Sequence, residues 1–80
     1  MKINVTQNDI DNGIPQNPWS CPIANAIKRE AIKREQNANV SVGTGRIKID
    51  GRRWRTTKVM IKFIKDFDNG KIVKPHCFKI

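Results

Sequence analysis

The sequence predicts an α+β fold in a single domain, residues 1–80, because strand-like and helix-like patterns alternate along one short chain. Short stretches that alternate apolar and polar residues, as half-buried strands do, occur on both sides of two segments with helical apolar spacing. An Asp50-Gly51 pair between two such stretches is typical of a tight hairpin and therefore of antiparallel pairing. We expect a small antiparallel or mixed sheet of roughly four to five strands with two helices packed on one face.

The first predicted elements are a strand and a single helical turn. Ile3 and Val5 alternate with polar residues, which places both apolar side chains on one side of the strand. Residues 6–9, Thr-Gln-Asn-Asp, have the pattern of a capping box, in which side chains at both ends of the motif bond to backbone N–H groups. A helical turn should therefore follow and end at Gly13.

The longer helix should begin after a loop that contains two prolines. Ser20 is the expected N-cap, Pro22 suits the first helical turn, and the helix should run to about Gln36. Its buried stripe follows the spacing i, i+4, i+8, with one alanine beside it. The stripe consists of Ile23, Ile27 and Ala31, with Ala24 next to it. Ile32 falls outside the stripe, so we expect it to be exposed.

Three more strands should follow the long helix. They are centred on Val40 and Val42, on Ile47 and Ile49, and on residues 52–55. Glycines at positions 43 and 45 indicate the first turn between these strands, and Asp50-Gly51 forms the second.

The C-terminal part predicts a helix and an extended tail. Thr56 or Thr57 should cap the helix, which should end near Asp68 with Gly70 behind it. Its core face is expected to consist of Met60, Phe63, Ile64 and Phe67. In the tail, Ile72, Phe78 and Ile80 should share one side, and Pro75 favours an edge strand or a bulged strand.

The distribution of charge indicates an anionic partner. The chain carries 16 Lys and Arg against 7 Asp and Glu, a net charge of +9. Residues 1–40 hold five basic and four acidic side chains, a balance of +1, whereas residues 41–80 hold eleven and three, a balance of +8. Such an uneven split favours binding of an anion. The alternative is a solvated surface that only maintains solubility.

The predicted hairpin concentrates these charges on one of its sides. Pairing across Asp50-Gly51 places Lys48 opposite Arg53 and Arg46 opposite Arg55, and all four side chains then lie on the same side. The other side should show Ile47, Ile49 and Trp54, with Arg52 at its end. Directly opposed like charges destabilise a sheet, and a polyanion or an acidic protein surface would relieve that repulsion.

Other candidate contact residues lie outside the hairpin. Lys58, Lys62 and Lys65 fall on the polar side of the last helix, where the alternative is an ordinary solvated helix face. Trp19, in the proline-containing loop, is either a contact residue or a lid that closes the core. Trp54 is expected to face the core beside Ile47, and the alternative is an outward ring that stacks on a base.

The sequence predicts neither an enzyme nor a cofactor or metal site. Cys21, His76 and Cys77 lack the paired spacing of a zinc site, and neighbouring residues on a strand point in opposite directions. Both cysteines are expected to be thiols packed as small apolar side chains. No stretch is apolar enough for a signal peptide or a membrane-spanning helix, so we expect a cytosolic protein without a membrane partner.

Three stretches of the chain resemble a group of short, mostly uncharacterised bacteriophage and prophage proteins. They are Met1–Gln7 with Asp9, Ile10 and Gly13; Cys21–Ile27; and Phe63–Gly70, continuing through Val73, Pro75 and Phe78. The resemblance covers about half of the chain and excludes the arginine-rich middle. It departs from the pattern at His76, where an aromatic residue is expected after the proline.

The resemblance implies a phage accessory protein, and small phage proteins of this size include anti-CRISPR proteins. It therefore suggests an inhibitor that acts in the cytoplasm of the infected bacterium, as a monomer or homodimer, by binding a CRISPR-type effector complex or another nucleoprotein and blocking it sterically. Two alternatives stay open. One is a general nucleic-acid-binding regulator, although no helix-turn-helix pattern is present. The other is a structural or assembly factor whose positive face is incidental.

Overall fold

The computed structural model describes residues 2–33 and 39–79, and over these ranges the predicted α+β fold is confirmed. The elements are β1 Lys2–Val5, α1 Gln7–Asp11, α2 Pro22–Lys33, β2 Val40–Val42, β3 Arg46–Ile49, β4 Arg52–Arg55, α3 Lys58–Asp68 and β5 His76–Lys79. All observed pairing is antiparallel, but these five strands form two sheets and not one. β1 pairs with β5, whereas β2, β3 and β4 form a meander in that order, joined by short turns.

A single cluster of apolar side chains holds the two sheets together. α2 contacts both β1 and β2 and therefore connects one sheet to the other. The buried members of the cluster within the elements are Ile3, Val5, Ile23, Ala24, Ala26, Ile27, Val40, Val42, Ile47, Met60, Phe63, Ile64 and Phe78. α2 thus packs on the inner side of the meander, the side that carries the side chain of Ile47, and the buried residues of α3 join the same cluster.

The capping box predicted at residues 6–9 is confirmed, and it also takes part in a partly buried ion pair. The Thr6 hydroxyl accepts a hydrogen bond from the Asp9 backbone N–H (3.3 Å), and the Asp9 carboxylate accepts one from the Thr6 backbone N–H (2.8 Å). The same carboxylate forms a salt bridge with Arg29 of α2, whose second guanidinium nitrogen donates to the Asn4 carbonyl (2.7 Å). Arg29 therefore ties α2 to both α1 and β1.

The N-cap of α2 is Cys21, so the prediction of Ser20 was wrong. The Cys21 thiol accepts from the Ala24 N–H at 3.4 Å, and the Cys21 carbonyl accepts the first helical bond, from Asn25, at 2.9 Å. A residue before proline avoids helical backbone angles, which places the non-helical cap immediately before Pro22. The Ser20 carbonyl instead accepts from the backbone N–H of Ile14 (2.9 Å).

The buried face of α2 is wider than the predicted stripe. Ile23, Ala24 and Ile27 are buried as expected, but Ala26 is buried as well and Ala31 is only half-buried. Ile32 is 68% exposed, as predicted. The helix is described to Lys33, and the expected last turn, at residues 34–36, lies outside the described residues.

α3 begins and ends as the sequence predicts. The Thr57 hydroxyl caps it by accepting from the Met60 N–H at 3.3 Å, and its last residue is Asp68. On its core face Met60, Phe63 and Ile64 are buried, whereas Phe67 is half-buried against the loop after α1. There Gly13 is packed so closely that a Cβ atom would lie 2.8 Å from the Pro22 ring and 2.9 Å from Phe67.

The tail differs from the prediction in two ways. Ile72 is 96% exposed and precedes β5, so it does not share a buried side with Phe78; Ile80 lies outside the described residues. Cys77 is exposed, whereas Cys21 is buried, so only Cys21 is packed as a small apolar side chain. Phe78 is buried opposite Ile3 and meets the Phe63 ring edge-on at 5.3 Å.

Candidate anion-binding face

The hairpin that carries the candidate site has the predicted register. Asp50 and Gly51 have φ angles of 50° and 85°, the positive values at both central residues that a type I′ turn requires. The turn pairs Lys48 with Arg53 and Arg46 with Arg55. Because side chains alternate along a strand, this register places these four cations on one side of the sheet.

We call Arg46, Lys48, Arg53 and Arg55 the basic face. All four residues are exposed, whereas Ile47, between two of them on β3, is fully buried on the other side of the strand. Ile49 and Trp54 are half-buried and pack against the core, which confirms the expected inward direction of Trp54. The hairpin therefore has one apolar side and one cationic side.

Carboxylates do not neutralise the basic face within residues 2–33 and 39–79. The ion pairs formed there involve Arg29, Lys33, Lys62 and Lys71, and none involves a member of the basic face. Asp50, in the adjacent turn, uses one carboxylate oxygen to accept the Asn39 backbone N–H at 2.9 Å. Among the described residues, therefore, no carboxylate competes with an external anion for these four charges.

The third strand extends this face. Ser41 of β2 lies opposite Lys48, which in turn lies opposite Arg53, so the three residues form one row across the sheet. Neighbouring strands are about 4.8 Å apart, so the row spans roughly 10 Å. At the other end of the hairpin, the Thr56 hydroxyl donates to the Thr44 carbonyl (3.2 Å) and fixes the end of β4 against the turn between β2 and β3.

The three lysines predicted on α3 lie on a different element from the sheet cations. The buried residues of α3 belong to the core cluster, to which the meander contributes its inner side, whereas the basic face lies on its other side. Lys62 lies 3.5 Å from the Asp66 carboxylate and lines a separate depression together with Val73 and Pro75. Lys58 and Lys65 are exposed, and Lys58 follows Arg55 by three residues, within about 11 Å along the chain.

Trp19 lies beside the basic face, which the sequence did not indicate. Its side chain is 61% exposed, so it does not close the core as a lid. It borders an open groove of about 430 Å³ between the loop and the sheet. The other residues that line the groove are Asn39, Val40, Ser41, Lys48 and Gly51. Lys48 therefore belongs both to the basic face and to the Trp19 groove.

The remaining reactive side chains do not converge. Burial raises the pKa of the Cys21 thiol above its usual value, so this group is a neutral hydrogen-bond acceptor and not a nucleophile. The His76 ring packs 4.6 Å from the ring of Phe78. In the part of the chain that the structure describes, no group of three or more His, Cys, Asp or Glu side chains is placed to hold a metal ion. No helix there is long and apolar enough to cross a membrane.

Comparisons with protein families, with curated proteins and with solved structures find no match to this chain.

The sequence predicted the hairpin and its four cations because the turn fixes their pairing locally. It missed the positions of Ser41 and Trp19 relative to these cations. The only sequence signal for the Ser41 row was the turn at residues 43–45, between β2 and β3, which did not by itself set a register.

Proposed function

We propose that this protein is a non-catalytic binder of a nucleoprotein and that the basic face contacts phosphates of the bound nucleic acid. In its most specific form, suggested by the resemblance to phage proteins, the partner is a CRISPR-type effector complex of the infected bacterium. The protein would act in the host cytoplasm by occluding a nucleic-acid site. The observation that carries the proposal is the set of four exposed cations on one side of the sheet, which have no carboxylate partner among residues 2–33 and 39–79.

The chemistry of the face suits phosphate groups. Three of its four members are arginines, whose planar guanidinium group can donate two parallel hydrogen bonds to one phosphate. The pairs Lys48/Arg53 and Arg46/Arg55 are directly opposed, and such like-charge pairs destabilise an isolated sheet. A bound phosphate between the members of a pair would turn this repulsion into attraction.

Protection of a sheet edge does not account for the whole face. Charged residues on an edge strand prevent pairing with other chains, and β4 is an edge strand of the meander. This explanation fits Arg53 and Arg55. It does not fit Arg46 and Lys48, because β3 is the central strand and has a neighbour on each side.

Charge reversal on the face tests the proposal. We expect the double variant Arg53→Glu/Arg55→Glu to lose capture of a host nucleoprotein in a pull-down identified by mass spectrometry. The matched control is Lys74→Glu/Lys79→Glu, which changes net charge equally at exposed positions outside the basic face and should retain binding. Equal losses in both double variants would show that only the total charge matters and would contradict the proposal.

Nuclease treatment and salt separate the classes of partner. If the basic face makes about four contacts to phosphates of a single strand, each contact adds roughly −0.7 to the slope of log affinity against log salt concentration. Affinity should then fall about fiftyfold between 50 and 200 mM salt. Binding that survives nuclease treatment and responds to salt mainly in the association rate would indicate an acidic protein surface and overturn the phosphate assignment.

A further inference from the structure

The loop that carries Trp19 is anchored on several sides although its indole is exposed. The Trp19 backbone N–H donates to the Asn17 side-chain oxygen (3.0 Å), and the Trp19 carbonyl accepts from the Lys28 ammonium group. The Pro18 carbonyl accepts from the Val42 N–H at 2.8 Å, which fixes the loop along the edge of β2 that does not pair with β3. The backbone that carries the indole is thus held in place before any partner binds, which lowers the entropy lost on binding.

The groove beside this indole combines the groups that recognise a nucleotide. Trp19 supplies an aromatic surface, and Lys48 supplies a cation within the same groove. Asn39 and Ser41 add an amide and a hydroxyl group, which can donate to and accept from the edge of a base. The groove volume of about 430 Å³ lies within the range of roughly 300–1,000 Å³ that holds small ligands.

The groove continues into the row of cations across the sheet. Lys48 lies next to Ser41 on one side and to Arg53 on the other, so the next positive charge follows one strand spacing, about 5 Å, beyond the groove. A nucleic-acid strand lying across the sheet would place a base against Trp19 and its following phosphates near Lys48 and Arg53. Inside a duplex both faces of a base are covered by its neighbours, whereas an unpaired base can present its face to the indole.

We infer that the nucleic acid bound at this site is single-stranded and that one unpaired base stacks on Trp19. This inference rests on the proposed function, since it concerns the same basic face and names the class of nucleic acid that it takes. Stacking of a base on an aromatic side chain tolerates any base, so sequence preference should be weak. Trp19 is then a binding residue with a role distinct from that of the cations.

Tryptophan fluorescence offers a direct test. In a Trp54→Phe variant Trp19 is the only tryptophan, and its emission reports stacking. We would titrate this variant with a twelve-residue oligothymidylate, an abasic oligomer of equal length and charge, a duplex of equal length, and an oligouridylate that distinguishes RNA from DNA. We expect quenching by both base-containing single strands and none by the abasic strand.

The stacking contribution is measured by removing the indole. In the wild-type background, Trp19→Ala should weaken binding of oligothymidylate roughly 5- to 150-fold, the range for loss of one stacked base, and leave abasic binding unchanged. Trp19→Phe should restore part of the loss. Because Trp19 is exposed, thermal melting of Trp19→Ala should match the wild type.

The outcomes separate this inference from the proposed function. Equal binding of abasic and base-containing strands, with no effect of Trp19→Ala, would overturn stacking while leaving phosphate binding intact. Tightest binding of the duplex would also overturn it. If no nucleic acid binds more tightly to the wild type than to Arg53→Glu/Arg55→Glu, both the inference and the phosphate assignment fail.

Discussion

At the scale of single residues, the carboxylate of Asp9 has more partners than its place in a five-residue helix suggests. It is nearly buried, it caps α1 through the Thr6 N–H, and it forms the salt bridge with Arg29. Arg29 also bonds to the Asn4 carbonyl. One carboxylate thus fixes the position of β1, α1 and α2 relative to one another, and its loss would leave the Arg29 guanidinium group with only the more distant Glu30 carboxylate, 3.9 Å away.

We expect Asp9→Asn to destabilise the fold by about 2–3 kcal/mol. This is below the value for a fully buried pair, because the Arg29 side chain is 30% exposed and water partly solvates it. Denaturant unfolding measures the difference. The control is Asp11→Asn, an exposed acid of the same helix, which should change stability by less than about 0.5 kcal/mol. A similar effect of both substitutions would contradict the assigned role of Asp9.

The Cys21 thiol gives a prediction for pH. Burial raises its pKa in the folded protein, so the native state holds this proton more tightly than the unfolded chain does. The stability that the protonated Cys21 thiol contributes is complete below the usual thiol pKa, about 8.5. It is lost as the pH rises from there through the raised pKa of the thiol in the folded protein. The free energies of unfolding of the wild type and of Cys21→Ala should therefore approach each other as the solution becomes alkaline. A constant difference between them would contradict this.

At the scale of elements, local signals predicted the hairpin because a type I′ turn and strand alternation act within ten residues. Long-range contacts could not be predicted from such local patterns. The division of the strands into two sheets depends on β1 meeting β5 from the other end of the chain, and the Asp9–Arg29 pair joins residues 20 positions apart. Ser20 has the better side chain for an N-cap, but Pro22 disfavours helical backbone angles at Cys21, so the cap lies at Cys21.

The junction of α1, α2 and α3 depends on the absence of a side chain at Gly13. A Cβ atom there would overlap Pro22 and Phe67, so we expect Gly13→Ala to destabilise by about 1–3 kcal/mol through overpacking. Gly45→Ala is the matched control, because nothing lies within 4 Å of its Cβ position and its φ is not positive. Denaturant unfolding should show a loss only at Gly13; equal effects would contradict the packing argument.

At the scale of the whole molecule, the inner and outer sides of the meander have opposite characters. The inner side contributes Val40, Val42 and Ile47 to the core, and the outer side carries the basic face with the Trp19 groove at its border. The charge also makes self-association through β4 unfavourable, since two copies paired along this edge would bring arginines close to arginines. The arrangement therefore favours an anionic partner over a second copy at this edge.

The repulsion within the basic face makes stability and binding respond in opposite directions. Arg53→Glu/Arg55→Glu replaces both opposed like-charge pairs, with Lys48 and with Arg46, by pairs of opposite charge. We expect folding stability to hold or rise by up to about 1 kcal/mol, because opposed like charges are destabilising and opposite charges are favourable. For a domain of this size that corresponds to a rise in Tm of up to about 4–8 °C. Binding of the nucleoprotein should be lost in the same variant.

Thermal melting and partner binding, measured on one preparation of Arg53→Glu/Arg55→Glu, distinguish three explanations of the basic face. A surface that only maintains solubility predicts a stability change without any change in binding. A surface needed for the fold predicts a lower Tm, with binding lost because the protein unfolds. Only a face kept cationic for an anionic partner predicts a Tm that holds or rises together with lost binding, and unchanged binding would refute the role assigned to Arg53 and Arg55.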